Sequence, residues 1–469
     1  MNDEAVTVLG ARRWLNGEWP YRDWHTRFSP GSYALAAAFF LFTGVNQAGT
    51  RSLMLLLISL QGLVLFELSR GLPGKLRYLP WLLWSLIGIQ EFPIFNYHWV
   101  SVLAFSLLTL AARYWLERGT SRSAAGVGGC LALCGWILQS EGLAGTLLVA
   151  LAAWRGGRQK GVVVASTLLC SVLLWCPFLL QGSQVWQNNG AEMSLLLRFN
   201  FNPYGPSHLL PPFLGAWQSS PGGDPLGWAH AWALALVYAF KYGGFYLILA
   251  IHLWRQRGAP SAEQVLGWAC LALALANANR QTLEYQSFLC PIWFVIAVSV
   301  LRRAVWPVLA LVLLHWTLNL AVESRDRRFA ITTPSGVYWT SEEWEAQAYN
   351  KLGQWIRGLV VPGQEAACLP YQCCLYTLWN LPNPLAEPVL IPLSYPLASF
   401  EQAHQRMLHR KTRWLIYTPL SPEGIASTYR VPAAQFAEAQ QAAHQVLVAD
   451  FHLRESLGGM ELWELRARK

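Results

Sequence analysis

The chain has 469 residues, 54% of them hydrophobic and only 13% charged, with 25 Trp. A soluble domain carries about 25% charged residues, so this composition excludes an ordinary soluble enzyme and predicts a polytopic membrane protein. The net charge of +9 does not point to nucleic acid, because most of the excess lies in short loops between apolar runs, where it sets orientation.

In chain order, the acidic pair Asp3-Glu4 opens a short amphipathic helix that reaches Arg12-Arg13 and Trp14. A Gly17-x-x-Pro20-Tyr21-x-Asp23 turn closes it, and Asp23, His25 and Arg27 follow in the same loop. The apolar run 33–42 is too short to cross a bilayer and reads as an interfacial or partly inserted helix. Runs near the ~20 residues needed to span follow at 51–69, 78–95, 99–115, 124–140, 142–154, 162–180, 231–252, 262–279, 286–301 and 304–322. The run 142–154 is short, but the charge pattern stays coherent only with it. Lys241 faces a polar cavity if 231–252 spans. It lies at the surface if 228–240 is an interfacial helix, which is the expected arrangement.

Alternate loops are basic: Arg70, Lys75 and Arg77; Arg113, Arg118 and Arg122; Arg155, Arg158 and Lys160; Arg255 and Arg257; Arg302 and Arg303. The opposite inter-helix loops hold little beyond Arg198 and Arg280. The positive-inside rule makes the first set cytoplasmic, so residues 1–50, 181–230 and those after 323 are expected outside. From about 330 the composition changes. Charged amphipathic stretches at 341–357 and 400–409 precede a β-like run at 414–417. Runs at 446–451 and 460–465 flank Gly458-Gly459 as a hairpin. The expected fold is mainly α: a polytopic transmembrane helical bundle over 1–329, with a small extracytoplasmic α/β domain over 330–469.

Of nine Cys, Cys130, Cys134, Cys170, Cys176, Cys270 and Cys290 lie in or beside apolar helices and read as small core residues. Cys368, Cys373 and Cys374 fall in the domain expected outside, an oxidising compartment in many bacteria, so Cys368 is expected to pair with Cys373 or Cys374. No signal peptide, internal repeat or phosphate-binding glycine motif stands out. No dense carboxylate cluster suggests a metal, so no cofactor is expected and a divalent cation is not favoured.

The acidic pair with its Gly17–Pro20–Tyr21–Asp23 turn resembles the first extracytoplasmic loop of the GT-C glycosyltransferases, polytopic enzymes that take sugars from polyprenyl-phosphate carriers. The segment Cys368-Leu-Pro-Tyr to Asn383-Pro384 is similar to one common in the tails of such bacterial enzymes. The resemblance implies a GT-C-like membrane domain over 1–329, multi-pass in the inner membrane, with the active site outside. It implies that Asp3, with Glu4, activates the acceptor. The alternative is that both merely favour a helix N-terminus. Arg280, with Tyr285 before Pro291, resembles an element near the donor phosphate. Snorkelling is the alternative for Arg280. Arg27 or His25 would bind phosphate and Asp23 the sugar or acceptor hydroxyls, unless they only form a polar loop.

In the family's second outer loop a further Asp is common; here Glu91, Asn96 and His98 stand there, and His98 is either an acid/base group or a satisfied interfacial His. Gln139-Ser140-Glu141-Gly142 matches a recurrent turn in which Glu141 is functional or a helix-end cap. Where the aminoarabinose-transferase branch has a phosphate-binding Lys, this chain has Ser29, which argues against that donor. Only Met1 and Asn2 precede the pair, whereas the family has a transmembrane helix there, so ~20 apolar residues are expected to be encoded in frame upstream. The partners implied are a polyprenyl-phosphate sugar, membrane lipids and a glycan, lipid or protein acceptor, with no nucleic acid. The rival readings are a transporter or lipid flippase, which needs polar residues in mid-membrane, an O-antigen polymerase or ligase, and an inactive relative.

Overall fold

The structure, a computed structural model, describes residues 2–26, 28–89, 95–183, 185, 187, 225–276, 290–326, 328–340, 342–360, 364–387, 389–429, 431–457 and 459–466. The chain opens with α1 (Asn2–Leu15), and Gly17, at φ 82°, turns it into the loop before α2 (Gly31–Thr43). α3 (Gln47–Leu68) begins at Asn46, whose side chain accepts from the Gly49 N–H, satisfying one of the first turn's orphan donors. α4 (Leu79–Leu83) runs into a π-helical turn, Trp84–Gly88. α5 (Tyr97–Arg118), α6 (Ser121–Ile137), α7 (Gln139–Trp154) and α8 (Lys160–Leu179) follow. α9 (Pro225–Tyr238) continues through a second π turn, Ala239–Gly243, into α10 (Gly244–Arg255). α11 (Ser261–Ala276), α12 (Ile292–Leu301) and α13 (Val305–Asp326) end the apolar part.

Every apolar run read from the sequence holds one of these helices. Among the described residues, five stretches are long and apolar enough to cross a membrane: Gln47–Leu68, Tyr97–Arg118, Lys160–Phe178, Trp228–Arg255 and Ile292–Val322. The last is broken at Arg302, whose φ of 48° ends α12. α2, α6, α7 and α11 are shorter. The chain is a helical membrane protein in which, among the described residues, fewer helices are long enough to cross than the apolar runs suggested.

The basic loops gather at one end of the helices. Glu67 accepts from Arg77 and from the Tyr114 hydroxyl, and Glu117 accepts from Arg113 and pairs with Arg70. The Trp115 indole donates to the Arg158 carbonyl at 2.5 Å, and the Ser261 hydroxyl to the Arg155 carbonyl. Such exposed pairs add little stability, but they fix which helix ends lie together. α3 runs from Asn46 to this basic end, so Asn46 lies at the other.

The C-terminal part contains a hairpin of β1 (Phe329–Thr333) and β2 (Gly336–Thr340), then α14 (Glu343–Leu359). β3 (Ala366–Leu369), α15 (Cys374–Leu378), α16 (Leu397–His409), β4 (Trp414–Tyr417), α17 (Pro422–Tyr429), α18 (Ala433–Val448), β5 (Phe451–Leu457) and β6 (Met460–Leu465) complete it. The sheet order is β3-β4-β6-β5, with β3 parallel to β4 and the other pairs antiparallel. The hairpin around Gly459 is present, but its first arm is 451–457, not 446–451. Residues 446–448 belong to α18, because Ala443 and Leu447, at helical spacing, bury against Phe451 and Met407.

α1 is packed on two sides. Val8 and Ala11 join the core of the apolar helices with Ala36 and Phe40, whereas Ala5 and Leu9 join a second core with Leu352, Ile356 and Tyr376. Arg13 fixes the junction. Its guanidinium donates to the carbonyls of Ala386 at 3.2 Å, Asn383 at 3.1 Å and Leu385 at 2.5 Å, with Glu18 3.5 Å from Nε. Burial lowers its pKa, opposed by Glu18, and the carbonyls satisfy donors that water no longer reaches. Arg13→Met should therefore cost roughly 2–4 kcal/mol, on the scale of charged hydrogen bonds, and lower the unfolding temperature of the purified protein. An unchanged unfolding temperature would show that this junction carries no stability.

Candidate functional site

Glu4 stands one residue beyond Asp3 in the first turn of α1; Asp3 is helical, and its side chain lies outside the description. The Glu4 side chain is 14% exposed and lies 3.1 Å from Arg51 Nη1. Burial raises its pKa above 4.5, and Arg51 only partly offsets this. Glu4 borders a small, partly open recess where α1, the start of α3 and the C-terminal part meet. Arg12, Asn46, Thr50, Ser335 and Tyr338 also line it. Arg12 is anchored by donating to the Tyr376 carbonyl at 2.9 Å. Burial, with a smaller contribution from Glu4, pushes the Tyr338 hydroxyl up to about 12, so it remains a proton donor. Beside the apolar Ala5, Val8, Val45 and Leu378, the recess offers a carboxylate, a guanidinium, hydroxyls and an amide, groups that can hydrogen-bond a hydroxyl.

The 17–26 loop is folded onto the C-terminal part. Tyr21, at φ 67°, bends it, and its hydroxyl donates to the Phe28 carbonyl at 2.8 Å. Burial works to raise the Asp23 pKa, but Arg22, the Trp19 N–H and Arg406 outweigh it and lower the value. The Trp19 N–H donates to Asp23 Oδ2 at 2.7 Å and Arg22 forks onto both carboxylate oxygens. Asp23 thus holds the turn. His25 Nδ1 lies 3.0 Å from Glu387 Oε1, and the His25 backbone N–H donates to the Ala386 carbonyl at 3.0 Å. Ser29, where a phosphate-binding Lys would stand, is buried and donates to the Gly135 carbonyl at 3.1 Å.

A second polar group is fully buried. Asn96 caps α5 by accepting from the His98 N–H at 2.9 Å. The Ser101 hydroxyl lies 2.9 Å from the His98 carbonyl and 3.2 Å from Glu141 Oε1, and its one proton can serve only one of them. Ser140 donates to Glu141 Oε2 at 2.6 Å. Glu141 is 1% exposed. It lies in the first turn of α7, where the dipole favours a carboxylate, and its carboxylate also bonds side chains of two helices. The structure therefore sets Ser101 between the Glu141 carboxylate and the main-chain carbonyl of His98. Arg27, Glu91, Arg280, Glu284 and Tyr285 lie outside the described residues. Among the described residues, no group of three His, Cys, Asp or Glu could hold a metal ion.

Two expectations are corrected. Lys241 does not lie at the surface: it is 1% exposed within Trp228–Arg255, because α9 continues through the π turn into α10 as one apolar stretch. Cys368, Cys373 and Cys374 form no disulfide, and all three are buried. They pack in the core shared by α1, α14 and α15, where burial pushes the Cys374 thiol up to about 11. Sequence reasoning also passed over Arg51, Ser101 and Tyr338. Arg51, a lone cation at the start of an apolar run, was a usable signal; Ser101 and Tyr338 acquire their places only through tertiary contacts.

No protein-family model matches the chain, and no curated protein matches it.

Because thiol reactivity needs the thiolate and access, an impermeant maleimide should label none of Cys368, Cys373 and Cys374 in the folded protein, with or without reductant. Recovery of a disulfide-linked peptide from this segment would contradict the buried thiols.

Proposed function

We infer that this chain is an integral-membrane glycosyltransferase of the GT-C kind, moving a sugar from a polyprenyl-phosphate carrier to a hydroxyl acceptor outside the cytoplasmic membrane, with inversion. The observation that carries the reading is Glu4: a desolvated carboxylate beside Arg51, opening onto a hydroxyl-lined recess in a membrane protein. With Asp3 it forms the acidic pair on which the family resemblance rests. In the reaction the acceptor oxygen bonds to the anomeric carbon while the bond from that carbon to the phosphate oxygen breaks. The acceptor's proton passes to a carboxylate, Asp3 in this proposal, and polyprenyl phosphate leaves. Arg280 and Arg27 would take up its charge. His25, held by Glu387, would contribute when protonated, and Tyr285 would help to position the donor.

The basic helix ends lie away from the recess, and under the positive-inside rule that end is cytoplasmic. The C-terminal part, which helps to wall the recess, then lies outside. His98 and Glu141 would support the acceptor side from the buried polar group, and no metal is assigned.

General-base assistance is typically worth ~10²–10⁴-fold in rate. Asp3→Asn should therefore abolish most transfer from a polyprenyl-phosphate sugar, with Glu4→Gln hurting less. Because the Glu4 pKa is raised, its ionised fraction falls as pH drops through a value above 4.5. The wild-type rate should fall over that range, and Glu4→Gln should lose that dependence. Wild-type transfer by Asp3→Asn would remove the catalytic assignment.

A second reading, transport or flipping of a lipid-linked solute, is favoured by one observation: Lys241 is buried at the centre of an apolar crossing, where charged groups mark solute paths.

A further inference from the structure

The β1–β2 hairpin is tied to helix ends at both of its own ends. α13 starts beside Arg302 and Arg303 of the basic set, where Arg255 also donates to the Val300 carbonyl. Its 22 residues rise about 33 Å, so Asp326 lies at the opposite end, with Asn46. β1 begins just past Asp326. At the far tip of the hairpin, a Cβ on Gly336 would lie 2.0 Å from Gln47 Oε1 in the first turn of α3. The five residues of β1 cover about 17 Å. The hairpin therefore lies across the ends of two apolar helices, at the depth where the chain leaves the apolar layer.

Its two faces differ. Residues directly opposite in an antiparallel pair share a face. Ile331 opposes Tyr338, and both turn inward: Ile331 is buried and Tyr338 lines the recess. Ala330 opposes Trp339 and Thr332 opposes Val337 on the other face. There Val337 is 46% exposed and Trp339 59%. Apolar area left in water is unfavourable, whereas an indole, apolar in its ring and polar at its N–H, is favoured at a membrane–water boundary. The apolar surface continues on the neighbouring elements. Leu320 is exposed near the end of α13, and Leu41 and Phe42 are exposed at the end of α2, just before α3. Arg325 and Arg328 are exposed between α13 and the hairpin, a place suited to cations that meet lipid phosphates.

We propose that the outer face of the β1–β2 hairpin, through Val337 and Trp339, seats in the lipid headgroup layer of the membrane that the apolar helices cross. Continuity with the lipid-facing apolar surface of α2 and α13 is what names the occupant. Tyr338, on the same strand, then holds the recess at headgroup depth, within reach of a substrate carried on a lipid. The seat does not rest on the glycosyltransferase reading, since a transporter could sit in the membrane the same way.

The full chain is reconstituted in phosphatidylcholine–phosphatidylglycerol vesicles with a photoreactive residue, as Trp339→p-benzoylphenylalanine, Val337→p-benzoylphenylalanine or Gln441→p-benzoylphenylalanine. Gln441 is the control: it is exposed on α18, whose core with α16, β4 and β5 shares no residue with the core of the apolar helices. After irradiation, mass spectrometry should find lipid adducts at Trp339 and Val337 and a loss of lipid adducts to background at Gln441. Should the probe at Trp339 prevent folding, the probe at Val337 carries the same comparison. Equal lipid labelling at Trp339 and Gln441 would overturn the seat. So would an absence of lipid adducts at Trp339, or adducts formed only with a second copy of the chain or with another segment of the same chain.

Discussion

The arrangement depends on how α1 is held. It is a short polar helix with one side on the apolar helices, through Val8 and Ala11, and another on the C-terminal part, through Ala5 and Leu9. Apolar burial gives that seat its energy but little direction. Direction comes from Arg12 and Arg13, which donate to carbonyls of residues 376, 383, 385 and 386. A guanidinium fixed by several carbonyls permits only one rotation of the helix. That rotation aims Glu4 at Arg51 and at the recess.

The charged groups divide by depth. At the basic helix ends, Arg70, Arg77 and Arg113 share Glu67 and Glu117 in partly exposed pairs that water screens. Glu4 and Glu141 are taken out of water, and each keeps specific partners, Arg51 for one and Ser140, with Ser101 within reach, for the other. Buried carboxylates held this way are expensive to maintain. Glu4 borders the recess, which is why the reacting end is proposed at the acidic pair Asp3-Glu4 and support at Glu141.

Much of this was legible in the sequence. Apolar run length marked the helices, and loop charge marked which helix ends lie together. The acidic pair and the Gly17–Asp23 turn located α1 and its exit. Other features were illegible for physical reasons. Whether Val446–Val448 extends a helix or starts a strand depends on what Leu447 packs against, since a short apolar run fits either period. The π turns that bury Lys241 leave no pattern in composition. Asp23 read either as a ligand for sugar or acceptor hydroxyls or as part of a polar loop, and its oxygens are taken by the Trp19 N–H and Arg22. An expected oxidising compartment suggested that Cys368 would pair with Cys373 or Cys374, whereas the fold buries all three as thiols in one core.

The central claim is group transfer at the outer end of the helices, and it is tested most directly by following a defined polyprenyl-phosphate sugar in vesicles containing the wild-type chain. The account predicts release of free polyprenyl phosphate only when a hydroxyl acceptor is supplied, with the sugar recovered on that acceptor. Movement of the intact lipid-linked sugar across the bilayer, with no release of polyprenyl phosphate under any acceptor, would contradict it.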